Sequence, residues 1–159
     1  GPFGIRMYAL AAQDYFFGSV LKRFFFKNFT NLLPMGRKNN VKASLKLASD
    51  RLKRSYPILI FPEGTRSTTG EIQEFKPSLG YLALRNKAGI LPVYIEGTHQ
   101  ALPKGKLWPR AQTLTVRIAP LVSYETLVTQ TAGLQHRDAN RVISSQIEMI
   151  IRTEKEISK

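Results

Sequence analysis

The sequence predicts an α/β domain: an open mixed sheet flanked by helices on both faces. Three observations carry that expectation. Short apolar runs bounded by Gly, Pro and polar residues recur at 5–12, 31–35, 58–61, 90–96 and 114–118. Segments with apolar residues at helical spacing lie between several of them and close the chain. The two patterns alternate, as expected of an α/β sheet rather than of segregated strands and helices.

Taken in order, residues 5–12 (IRMYALAA) read as a buried strand and 18–29 (GSVLKRFFFKNF) as a helix with Leu21, Phe24 and Phe25 apolar. Residues 31–35 are a short extended piece ending at Gly36-Arg37. Residues 41–54 form an amphipathic helix whose predicted stripe is Val41, Leu45, Ala48 and Leu52, with Lys42, Lys46, Asp50 and Lys53 outward. Residues 58–61 are a strand. Residues 77–87 are a helix with proline in its first turn and Gly89 as its stop. Residues 90–96 are a strand, 97–110 a loop rich in Gly and Pro, and 114–118 a strand ended by Pro120. Residues 137–157 are a last helix with Ile143, Ile147, Ile150 and Ile151 on one face.

A chain of 159 residues with 43% hydrophobic and 22% charged residues is expected to form a single globular domain. It has no cysteine, which excludes disulfide frameworks and thiolate metal sites. His99 and His136 stand far apart without ligand spacing, so no metal site is expected. No apolar run is long enough to span a bilayer. The net charge is +13, and ten of the basic residues fall between Lys22 and Arg54 against one acid, Asp50. Such a region attracts anionic lipid headgroups, phosphorylated small molecules or nucleic acid, and equally serves as a solvated face. Aromatic-rich RNA-binding strands are absent, so nucleic acid is the weakest of these partners.

The densest chemistry is Phe61-Pro62-Glu63-Gly64-Thr65-Arg66-Ser67, directly after the apolar run Pro57-Ile58-Leu59-Ile60. Loops that follow strands in an open α/β sheet commonly carry ligand groups. Seven residues here offer a carboxylate, a flexible glycine, hydroxyls and a guanidinium, a set suited to a phosphate monoester. An ordinary surface turn uses many of the same residue types.

This heptapeptide is similar to the third conserved block of the glycerophosphate and lysophosphatidate acyltransferase family. Leu33-Pro34-Met35-Gly36-Arg37 resembles the second block, Phe75-Lys76 the pair that commonly follows the third, and Ile90-Leu91-Pro92-Val93 the proline-centred fourth. Gly97-Thr98 and Leu102-Pro103 continue the likeness, in the family's order. The resemblance implies that Arg37 and Arg66 bind the phosphate of glycerol phosphate or a lysophospholipid such as lysophosphatidate, with Lys76 as a third cation. Gly64 then lets the backbone approach the ligand, and Thr65 and Ser67 complete the shell. Glu63 holds glycerol hydroxyls or the loop itself, or pairs with Arg66. Pro92 shapes the acyl-donor side of the cleft, or simply ends an edge strand. The implied co-substrate is acyl-CoA or acyl carrier protein, with no other cofactor.

The same resemblance implies a base, a histidine followed five positions later by an aspartate, that deprotonates the acceptor hydroxyl. Here Lys104 follows His99 at that spacing and Arg141 follows His136. In the family this pair precedes the first strand. Gly1-Pro2 reads as the remnant of a protease site, so the chain is expected to lack the family's N-terminal part and, alone, to be inactive. A catalytically inert lipid-binding domain is the other reading. Phe24-Phe25-Phe26 between cations suits either a lipid interface or a core helix. The resemblance places the protein peripherally at the cytoplasmic face of a membrane.

Overall fold

The structure, a computed structural model, describes residues 7–12, 31–36, 41–106 and 108–157. The expected helix at 18–29 and Arg37 lie outside these residues. The chain divides into two compact units, Gly1–Phe61 and Pro62–Lys159.

The first unit is built on three parallel strands: β1 (Tyr8–Ala12), β2 (Leu32–Met35) and β3 (Ile58–Leu59), with β1 in the middle. The register pairs Leu10 with Leu33, and both are buried. Parallel strands need a crossover, and helix α1 (Val41–Leu52) supplies one between β2 and β3, packing on all three strands. Its buried positions are Ser44, Ala48 and Ser49, whereas the expected members Val41, Leu45 and Leu52 are half-buried and Leu47 is exposed. The stripe is thus rotated towards small side chains. They let the helix lie close to the sheet, and the Ser44 hydroxyl is satisfied by the Gly36 N–H at 3.0 Å. The helix ends where Ser55 turns left-handed, φ 60°. Arg51 in its last turn stacks over the Tyr8 ring at 4.7 Å, and Tyr56 meets the same ring edge-on.

The second unit pairs β4 (Val93–Glu96) with β5 (Thr115–Ile118) as an antiparallel ribbon, Val93 opposite Ile118. The described strands are therefore mixed in direction, as expected, but lie in two separate sheets. Four helices accompany the ribbon: α2 (Ser78–Asn86), α3 (Thr98–Ala101), α4 (Tyr124–Gln130) and α5 (His136–Glu156). The core lies where α2, α4 and α5 meet. Leu79, Leu82, Leu127, Ile143, Ile147 and Ile151 are buried there, so three of the four isoleucines expected on the packed face are in the core and Ile150 is half-buried at its edge. Alternate ribbon residues Val93, Ile95, Val116 and Ile118 stay exposed. Tyr94, on the side of the ribbon that senses Lys155 of α5, has its hydroxyl pKa pushed up by burial and then by Glu96.

Helix α2 ends at Asn86, within a residue of the expected end at 87, but Gly89 is not what turns the chain. Lys87 takes the left-handed conformation, φ 52°, and the Ala88 N–H reaches back to the Ala83 carbonyl at 3.0 Å. The expected loop at 97–110 holds the single turn α3, started by Gly97 at φ 85°. Helix α4 is an element that the sequence pattern did not predict, although Ser123-Tyr124-Glu125-Thr126 has the form of a cap. The Ser123 hydroxyl accepts the Thr126 N–H at 3.2 Å. The Glu125 carboxyl is held below its ordinary range by its own backbone N–H and by Ser123. Ser123→Ala is expected to cost about 1 kcal/mol, roughly 2–4 °C in melting temperature. With a carboxyl lowered in the folded state, the contribution of Glu125 is present above its unfolded pKa and lost as pH falls through the folded one. The difference between variant and parent should therefore narrow in acid, which thermal melts across pH will read.

Candidate functional site

The chain leaves Pro62 and returns at Lys76 as a closed loop. The Lys76 N–H donates to the Pro62 carbonyl at 2.8 Å and joins the ends. One step inward, Glu63 Oε2 accepts the Gln73 N–H at 2.9 Å. Glu63 is therefore the clamp of its own loop, one of the roles expected for it. Ser67 also braces the loop, since its hydroxyl accepts the Gly70 N–H at 2.9 Å and the Thr69 N–H at 3.3 Å. Gly64 and Gly70 sit at φ 72° and 84°, which side-chain-bearing residues rarely adopt.

Helix α5 fastens the second half of this loop, about one contact per turn. Ser144 Oγ donates to the Lys76 carbonyl at 3.0 Å. Glu148 Oε2 accepts the Phe75 N–H at 2.8 Å, and Arg152 Nη2 donates to the Ile72 carbonyl at 2.9 Å. Lys155 pairs with Glu71. The Phe75 ring is buried, which plants the Phe75-Lys76 step in the core and leaves Lys76 exposed beside it.

Cations gather on the exposed side of this frame. The stem of Lys76 runs past Gly64, with its Cγ 3.9 Å from where a Cβ of residue 64 would stand. Lys104 Nζ reaches the Thr65 hydroxyl at 3.4 Å. Arg66 is exposed on the same loop. The structure thus brings together Glu63, Gly64, Thr65, Arg66, Ser67 and Lys76, and adds Lys104, which the sequence did not mark as a site residue. Its only signal was its position just after Leu102-Pro103. Pro92 is buried before β4, its carbonyl accepting the Ala119 N–H at 3.0 Å, so its described contact is with the ribbon. His99 covers Gly70, its ring 3.3 Å from a Cβ built there. Among the described residues no three His, Asp or Glu side chains gather as metal ligands, and no helix is long and apolar enough to cross a membrane.

Such a loop, closed at its neck and carrying Lys76, Arg66 and the neighbouring Lys104 on that side, can hold a phosphate ester against guanidinium, ammonium and hydroxyl donors. Its rigidity rests on Glu63. Glu63→Ala is expected to speed hydrogen exchange at the Gln73 amide by about ten- to a hundredfold, because a hydrogen bond to a charged group contributes about 1.5–3 kcal/mol.

The family model described as Acyltransferase matches residues 3–96, more than half of the chain. A 1-acyl-sn-glycerol-3-phosphate acyltransferase of Cocos nucifera is 35% identical over 77 residues, 48% of this chain and 25% of that protein. One from Limnanthes douglasii is 30% identical over 90 residues, 57% of this chain and 31% of that protein. The chain thus spans about a quarter to a third of the length of these curated relatives. In fold it is similar to the 1-acyl-sn-glycerophosphate (LPA) acyltransferase PlsC of Thermotoga maritima. That likeness has a TM-score of 0.64 at 21% identity, over 91% of this chain and 57% of that one.

Proposed function

Because this chain belongs to the acyltransferase family, we propose that it forms the acceptor-binding part of an enzyme of glycerolipid synthesis, one that acylates a hydroxyl of lysophosphatidate or glycerol phosphate. The observation that carries this reading is the loop 62–76, clamped by Glu63 and lined by Arg66, Lys76 and Lys104. In the proposal Arg66 grips the acceptor phosphate, with Lys104 and Thr65 beside it, and Gly64 leaves room for the ligand. Anchoring the phosphate fixes the acceptor's free hydroxyl in place, which removes much of the entropic barrier to transfer. The hydroxyl oxygen then attacks the thioester carbonyl of acyl-CoA or acyl carrier protein. An ester bond forms, the carbon–sulfur bond breaks, and the hydroxyl proton is taken by a base and passed to the leaving thiolate. The histidine–aspartate pair for that step is not among these 159 residues, so the 159 residues alone are expected to be inactive. The excess of positive charge favours work as a peripheral protein at the anionic, cytoplasmic face of a membrane.

The test is thiol release from an acyl thioester by the protein in its native reading frame, with and without acceptor. This chain contributes no cysteine to the background. Acceptor-dependent release supports the reading. Silence across lysophosphatidate, glycerol phosphate and both donor types overturns it.

A further inference from the structure

On α5 the row that faces the loop runs Arg141, Ser144, Ser145, Glu148, Arg152, Lys155. From Ser144 onward, every member except Ser145 is spent on segment 71–76. Arg141 and Ser145, near the start of the row, have no side-chain hydrogen-bond or ion-pair partner among the described residues. They line a surface cavity of about 390 Å³ together with Glu74, Phe75, Lys76 and Pro77, a volume in the range of small-molecule pockets, about 300–1,000 Å³. Among the described residues neither the Arg141 guanidinium nor the Lys76 ammonium has a hydrogen-bond or ion-pair partner. With two cations, Arg141 and Lys76, and one carboxylate, Glu74, the wall carries a net positive charge that attracts an anion. The wall itself is rigid. Ser144 ties the Lys76 carbonyl to α5 and accepts the Gly80 N–H at 3.3 Å, and the buried Phe75 forms the floor. Three N–H groups in the first turn of α2 are engaged elsewhere: Leu79 with the Lys76 carbonyl, Gly80 with Ser144, Tyr81 with the Pro77 carbonyl. The charged groups that line the cavity are the side chains of Lys76, Arg141 and Glu74.

We propose that this cavity is a second phosphate site, in which Arg141, Lys76 and Ser145 hold a phosphate ester of the acyl donor. The assignment to the donor rests on the reading above. Acyl transfer to a phosphorylated acceptor brings together two phosphate-bearing substrates, because coenzyme A and the pantetheine arm of a carrier protein both carry phosphate. Arg66 and Lys104 serve one anion. Arg141 and Lys76 line a cavity whose described wall includes neither Arg66 nor Lys104, and serve the next. Glu74 on the cavity rim offers an acceptor to the amide and hydroxyl groups that pantetheine carries beside its phosphate, and it lowers the net charge of the wall to about one unit.

The experiment is calorimetric titration of this chain with coenzyme A, glycerol 3-phosphate and inorganic phosphate, on the parent, Arg141→Gln, Arg141→Lys and Arg66→Ala. Thermal melts confirm that each variant folds. Arg141→Gln is expected to weaken coenzyme A about ten- to a hundredfold, the loss of one charge-assisted contact, and to leave glycerol 3-phosphate unchanged. Arg141→Lys should recover part of the loss, and Arg66→Ala should show the opposite pattern. A loss confined to glycerol 3-phosphate would overturn the donor assignment and give the cavity to the acceptor. Binding of all three ligands by Arg141→Gln as by the parent, or no binding by the parent, overturns the site itself. Either result leaves the thiol-release test of the acyltransferase reading standing on its own.

Discussion

Gly80→Ala is expected to lower the melting temperature by roughly 6–12 °C, the equivalent of about 3 kcal/mol for a chain of this size. A Cβ at residue 80 would lie 2.3 Å from the Asn140 carbonyl oxygen and 2.8 Å from its Cα, distances that real Cβ atoms do not show. The obstacle is the backbone of α5, so no rotamer change relieves it. Helices α2 and α5 must separate, and the buried faces of Leu79, Ala83, Ile143 and Ile147 lose contact with them. The damage reaches the site, because the Gly80 N–H bonds the Ser144 hydroxyl that in turn holds the Lys76 carbonyl. The Phe75 and Gly80 amides should therefore exchange faster in whatever fraction remains folded. A melting temperature within about 2 °C of the parent would mean that the two helices do not meet at this glycine.

Arg66→Ala, in the native reading frame, is expected to raise the acceptor KM by about thirtyfold or more and to leave the donor KM unchanged. A bidentate arginine–phosphate contact is charge-assisted and contributes about 2 kcal/mol or more where the ligand shields it from water. Arg66→Lys should recover only part, since a single ammonium does not reproduce the planar fork. Thermal melts run beside the kinetics separate loss of the phosphate contact from any loss of folding. An unchanged acceptor KM would remove Arg66 from the site.

What was legible in the sequence is what local pattern encodes. The isoleucine spacing in α5 named the buried face, because a long amphipathic helix has one apolar stripe and it packs. The strands near residues 8, 32, 58, 93 and 115 were visible as apolar runs between breakers. The rotated face of α1 was not, because Ser44 and Ser49 look polar until Gly36 is seen to satisfy one of them. Helix α4 was missed because its seven residues are too few for periodicity, and its cap is the only local sign. The end of α2 was read to within a residue, but the residue that turns the chain is a left-handed Lys87 and not Gly89, because a left-handed lysine is a tertiary outcome. At the site the heptapeptide marked the loop correctly, yet the partners that shape it came from far along the chain. Glu148, Arg152 and Ser144 are about 70 to 80 positions away from the groups they hold, and Lys104 is 39 positions from Thr65. No spacing rule reaches that far.

The most direct measurement is mass-spectrometric identification of the lipid formed from lysophosphatidate and an acyl thioester by the protein in its native reading frame. The account predicts phosphatidate, heavier than its precursor by one acyl group and formed in step with free thiol. Thiol release without an acylated acceptor would make the protein a thioester hydrolase, and neither product would leave it a lipid-binding domain. Either result would contradict the acyltransferase account.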